Sequence, residues 1–152
     1  MTKQEMLDSI ENAKKTHLEQ MHKIRSVING KKIENPTALS KRECECGIWF
    51  YSHEKVMKDI LGAQLFERLD KNHEQWHVEY FNIYNIFFKK EQKKRGLLSK
   101  VLKRDKIDSL TIDKAKLYYS ELERSTDELL KVSESASRRV AALKDAKFAA
   151  LS

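Results

Sequence analysis

The sequence predicts an all-α protein: a four-helix-bundle-like domain with long helices and a short helix after a cysteine-containing turn. Three observations point there. Apolar residues recur at three–four spacing over stretches far longer than a strand. The 152 residues include one proline and four glycines, so little interrupts a helix. With 40% of residues apolar and 35% charged, the chain is too apolar for disorder and too polar to reside in a bilayer. Its length suits one domain, residues 1–152, around one core.

The first helix is expected over Lys3 to Ile28. Leu7, Ile10, His17, Met21, Ile24 and Ile28 follow helical spacing, with Ala13 and Lys14 sharing the missing position. Asn29-Gly30 is a C-terminal stop. Lys31 to Ser40 is a polar connection containing Pro36. Cys44 to Tyr51 is short and aromatic-rich, and its Gly47 suggests a tight turn or a close backbone approach. Ser52 is a cap for a short helix running to about Leu61, where Gly62 interrupts it.

A second long helix is expected from about Ala63 to Lys94, with Phe66, Leu69, His73, Trp76, Tyr80, Ile83, Tyr84 and Phe87 as its apolar stripe. Gly96 and a basic run interrupt the pattern. The closing helix spans about 111–148, its apolar face supplied by Ile112, Ala115, Leu117, Tyr118, Leu122, Leu129, Leu130, Val132, Ala136, Val140 and Leu143. Ser125-Thr126-Asp127 reads as a local weak point in it.

No stretch approaches the roughly 20 uninterrupted apolar residues that span a bilayer. Met1 to Ile10 carries Glu5 and Asp8 and lacks the apolar segment of a signal peptide. The expected compartment is the cytoplasm, with no membrane partner. In a reducing cytosol, metal binding or redox sensing is the better use for the only two cysteines, Cys44 and Cys46. Much of the net charge of +7 lies in Lys89, Lys90, Lys93, Lys94, Arg95, Lys100, Lys103, Arg104 and Lys106. No aromatic residue lies between Lys89 and Lys106 to stack on bases, which favours a solvated helix end and linker over a nucleic-acid site.

Chemistry concentrates in the histidines. His73 and His77 stand four residues apart, on one helix face, where both rings converge on one point. His73 falls on the buried seam between Leu69 and Trp76, and His17 takes a seam position between Ile10 and Met21. A lone histidine on an apolar face is usually a hydrogen-bonded core residue. Three of them on facing seams would each need a separate polar partner, and one metal ion satisfies all three. His22 and His53 lie off these seams and are expected to be solvent-exposed. Zinc takes four ligands from nitrogen and sulfur, so a fourth donor is needed, and spacing alone does not choose between Cys44 and Cys46.

The run Cys44-Glu45-Cys46-Gly47-Ile48-Trp49-Phe50-Tyr51 resembles the Cys-x-Leu/Phe-Gly-x-Trp-Tyr/Phe signature of the chemoreceptor zinc-binding domain (CZB) family. His17 upstream and Phe66, Leu69, His73 and His77 downstream match the family's other marks in order. The resemblance covers about residues 13–88 well and 115–130 loosely, and the basic stretch at about 93–106 looks like an insertion. It implies the zinc ligands His17, Cys44, His73 and His77. Cys46 stands where the family usually has Leu or Phe, as a packed thiol, an alternative ligand or a disulfide partner.

The resemblance also implies a zinc-binding regulatory or sensor module in bacterial signalling, of chemotaxis or cyclic-di-GMP type, working as a homodimer and possessing no enzymatic activity. It would respond to zinc or to oxidation of the zinc-bound cysteine. No signalling hairpin or cyclase motif accompanies these residues, so the expectation is a freestanding sensor or a fragment, acting on a signalling-protein partner. Two other readings compete. His73-Glu74-Gln75-Trp76-His77 fits the H-E-x-x-H motif of zinc peptidases, but no histidine follows His77, and only Glu91 in the lysine-rich end offers a substitute. The basic run suits an acidic partner or nucleic acid, with zinc purely structural.

Overall fold

The computed structural model describes residues 1–31, 37–87 and 109–150, which form six helices and no strand. They are α1 (Lys3–Ile28), α2 (Glu45–Ser52), α3 (Glu54–Leu61), α4 (Ala63–Phe87), α5 (Ser109–Ala142) and α6 (Asp145–Ala149). The expected all-α bundle is present. The basic run, Gly96, Glu91 and the end of the second long helix beyond residue 87 lie outside the described residues.

α1 starts on a capping box. Thr2 Oγ1 accepts the Glu5 N–H at 3.2 Å, and the Glu5 carboxylate accepts the Thr2 N–H at 2.7 Å. It ends at Asn29, followed by Gly30 at φ +84°, where the N–H groups of Gly30 and Lys31 return to the carbonyls of Val27 and Ser26. The Asn-Gly stop is therefore real.

The middle of the chain differs from expectation. Cys44 to Tyr51 is mostly helical, and the two short helices α2 and α3 meet at His53. Ser52 is the last residue of α2 and donates to the Trp49 carbonyl at 2.9 Å, so it does not cap the next helix. His53 is half-buried rather than exposed, because its Nδ1 reaches the Trp49 carbonyl at 2.9 Å. His22 is exposed as expected. Of the two meanings offered for Gly47, close approach is correct. A Cβ there would stand 1.6 Å from the Lys41 carbonyl oxygen.

α5 is the axis of the bundle, packing along both α4 and α1, with α3 against α4 and α5 and α2 against α1. It begins at Ser109 and ends at Ala142, and Phe148 is buried from the separate short α6. Leu117, placed on its apolar face by spacing, is 62% exposed. Ser125-Thr126-Asp127 is no weak point. Thr126 is buried, donates to the Leu122 carbonyl at 2.7 Å and accepts the Trp76 indole N–H at 2.9 Å. A hydroxyl satisfied inside its own helix costs little, and here it ties α5 to α4.

Buried apolar residues form two clusters. One gathers Met6, Ile10, Phe50, Met57, Ile60, Phe66, Leu69, Val132 and Val140. The other gathers Met21, Ile24, Trp76, Tyr80, Ile83, Leu122 and Leu129. On α1 the seam passes from Ile10 to Met21 through His17, and on α4 from Leu69 to Trp76 through His73. The histidines thus occupy the waist between two hydrophobic masses.

Because the Gly47 backbone lies against the Lys41 carbonyl, Gly47→Ala is expected to destabilise the fold by about 2 kcal/mol. Urea unfolding of the variant against the wild type measures this.

Candidate metal centre

Three elements deliver four donors to the waist. α1 supplies His17, α4 supplies His73 and His77 one turn apart, and Cys44 sits immediately before α2. All four side chains are 4–5% exposed. One donor atom from each lies within 4.8 Å of every other, making a cluster able to hold a metal ion. His73 Nε2 is 3.2 Å from Cys44 Sγ and 3.2 Å from His77 Nε2. An ion bonded tetrahedrally to imidazoles would set its nitrogen ligands about 3.3 Å apart.

The outer partners of the rings fix where their lone pairs point. His17 Nδ1 is 2.7 Å from the Ala13 carbonyl, and His77 Nδ1 is 3.0 Å from the Leu39 carbonyl. A carbonyl only accepts, so each Nδ1 carries the proton and each Nε2 offers a lone pair. This backbone-anchored arrangement is typical of metal-ligating histidines. Burial, reinforced by His73, pushes the His17 imidazole down to about 4, so the ring is neutral near pH 7. With the His77 Nε2 lone pair aimed at His73 Nε2 and sulfur on its other side, the centre is rich in lone pairs and suited to a cation.

Cys44 caps α2. Its sulfur accepts the Gly47 N–H at 3.2 Å. Proximity to the Cys46 thiol, ahead of the His73 imidazole, draws Cys44 well below the ordinary thiol range, against the opposing effect of burial. The same contact with Cys44, together with burial, pushes Cys46 up. Cys46 is half-buried and is not one of the four clustered donors.

The segment carrying Cys44 is fastened to α4 at several points. The Thr37 carbonyl accepts the Tyr80 hydroxyl at 3.2 Å, and the Leu39 carbonyl meets His77. Lys41 Nζ reaches Asp70 at 2.8 Å and Glu74 at 3.2 Å. Tyr51 on α2 donates to the same Asp70 oxygen, and the Arg42 guanidinium lies 4.3 Å over the Tyr51 ring. Burial opposes ionisation of Asp70, but the Lys41 and Tyr51 hydrogen bonds outweigh it and hold the carboxyl below its ordinary value. Asp70 precedes His73 by one turn, and Lys41 precedes Cys44 by three residues, so one ion-pair clasp joins the two segments that carry sulfur and nitrogen. Spacing gave no sign of it, since Lys41, Tyr51 and Asp70 lie far apart in sequence.

Residues 17–93 match the model of the chemoreceptor zinc-binding domain, a span that takes in all four clustered donors. The chain belongs to this family. As a CZB protein it has zinc as its cofactor, and three imidazoles with one thiolate are the nitrogen and sulfur donors that zinc takes. Comparison with curated proteins and with solved structures returns no match. The CZB sequence marks, His17, Cys44, His73 and His77, are the residues that the fold gathers, while His22 and His53 stay outside.

Glu74, the general base of an H-E-x-x-H site, is 61% exposed at its side chain and pairs with Lys41 rather than facing the cluster. No helix among the described residues is long and apolar enough to cross a membrane.

If the clasp restrains the Cys44 segment, Asp70→Asn should leave helix content unchanged by circular dichroism. It should speed zinc transfer to a chromogenic chelator roughly tenfold, as expected for loss of a charged hydrogen bond.

Proposed function

We propose that His17, Cys44, His73 and His77 together bind one zinc ion and that the chain is a cytoplasmic regulatory module responding to zinc supply or to oxidation of Cys44. One observation carries this reading: four buried donors, three imidazoles and one cysteine sulfur, converge at the waist of the bundle. Four protein ligands leave no open position, so the site suits regulation rather than hydrolysis. The outward Glu74 further disfavours a peptidase.

Thiolate is the form of cysteine that oxidants attack. Oxidation of Cys44 removes one donor and also the sulfur that caps α2. His17 and the α4 histidines still link α1 to α4, so the change is centred on α2 and its preceding loop. The module acts in bacterial signalling of chemotaxis or cyclic-di-GMP type, as a homodimer, on a signalling-protein partner.

Metal analysis of the purified chain should give one zinc per protomer. Cys44→Ser should weaken zinc roughly 100-fold or more in chelator competition, since even the supporting partners of a ligand are worth 10- to 100-fold. Absence of zinc, or wild-type affinity in Cys44→Ser, would sink the assignment.

A further inference from the structure

Cys46 is not needed to complete the four-donor cluster, yet it belongs to the same locality. A small cavity of about 30 Å³ lies beside the centre, lined by His17, His73 and Cys46 together with Ile10, Leu69 and Leu129. That volume holds a molecule the size of water or hydrogen peroxide. Cys46 thus borders the same space as His73, whose Nε2 stands 3.2 Å from the Cys44 sulfur.

The backbone separation is compatible with a bond between the two sulfurs. Cys44 is the N-cap of α2, and Glu45 between the cysteines is already helical. A helical residue in the middle sets its neighbours' Cα atoms about 5.4 Å apart, inside the 4.4–6.8 Å that disulfides occupy. The cost is local. The Cys44 sulfur must give up the Gly47 N–H and its approach to His73, each at 3.2 Å.

We propose that Cys46 is the resolving thiol of this centre: a small peroxide oxidises Cys44, and Cys46 then closes an intrachain Cys44–Cys46 disulfide that locks the metal out until a thiol reductant reopens it. The inference rests on the reading of Cys44 as a zinc ligand. In the first step the Cys44 thiolate attacks a peroxide oxygen. An S–O bond forms, the O–O bond breaks, two electrons leave the sulfur, and hydroxide departs and is protonated to water. In the second step the Cys46 sulfur attacks the sulfenic sulfur and gives up its proton; S–S forms, S–O breaks and a second water leaves. One thiolate, one thiol, one hydrogen peroxide and one proton give one disulfide and two waters. A strained bridge between near neighbours is easily reduced, which makes the response reversible.

The test uses the zinc-loaded full chain treated with hydrogen peroxide, first equimolar and then in roughly tenfold excess. Zinc release is followed with a chromogenic chelator, and the tryptic peptide 43–55, which contains both cysteines, is weighed without reduction. The wild type should release zinc, its peptide should lose two hydrogens in mass, and dithiothreitol should restore zinc binding. Cys46→Ser and Cys46→Leu should hold zinc when reduced and release it on oxidation. Their Cys44 should carry one oxygen trappable by dimedone, then two or three, and in those over-oxidised forms dithiothreitol should not restore binding. Zinc release from the wild type with Cys46 still open to alkylation overturns the proposal while leaving the zinc-thiolate reading intact. Loss of zinc from both reduced Cys46 variants also overturns it, because Cys46 is then a ligand. A reduced wild type without zinc, or a Cys44→Ser variant that keeps it, overturns the underlying reading instead.

Discussion

The burial of four lone-pair donors at the waist of the bundle is the constraint around which the rest is arranged. Three imidazoles and a sulfur excluded from water need compensation, and an unpaired polar group in such a place costs several times what an average hydrogen bond returns. Two rings spend their outer N–H on backbone carbonyls of Ala13 and Leu39. Their inner faces are left for a shared positive partner. The apolar clusters on either side, one around Met57 and Ile60 and one around Trp76 and Ile83, seal the donors from solvent. They hold the helices at a separation set by side chains other than the histidines.

Positioning differs between the nitrogen and sulfur donors. The histidines ride on α1 and α4, long helices whose seams are buried along most of their length. Cys44 rides on a loop. Its position is imposed by a clasp from Lys41 and Tyr51 to Asp70, by the Tyr80–Thr37 and His77–Leu39 contacts, and by Gly47 allowing α2 to lie against the Lys41 carbonyl. One donor thus depends on interactions that are partly exposed and salt-sensitive, while the other three rest on the core.

Much of this was legible in the sequence, for reasons that differ by element. α1 and α4 announce themselves by periodicity, and His17 and His73 betray their location because they occupy seam positions where a hydrocarbon is expected. Thr2 and Gly30 obey local capping rules. Legibility fails where tertiary contacts decide. Ser-Thr-Asp looks like a break in α5 until the Trp76 indole supplies the partner that makes Thr126 welcome in the core. Leu117 has helical spacing but faces outward, since propensity and pattern do not say where a helix leaves its neighbours. The stretch from Cys44 to Tyr51 reads as a turn because of Gly47, whereas the glycine serves close packing within a helix. The clasp has no local signature at all.

The length of α2 carries a consequence of its own. Eight residues are too few to remain helical in water, because the cost of nucleation is not recovered over two turns. This helix persists only by docking, and a single sulfur satisfies one of its orphan amides while facing the histidines. Amide exchange across the molecule should therefore be graded. α2 is among the least protected units, and α5, gripped by α1 and α4 along its length, is among the most protected. Loss of that one sulfur would melt a discrete foldon and leave the surrounding scaffold standing to receive it again.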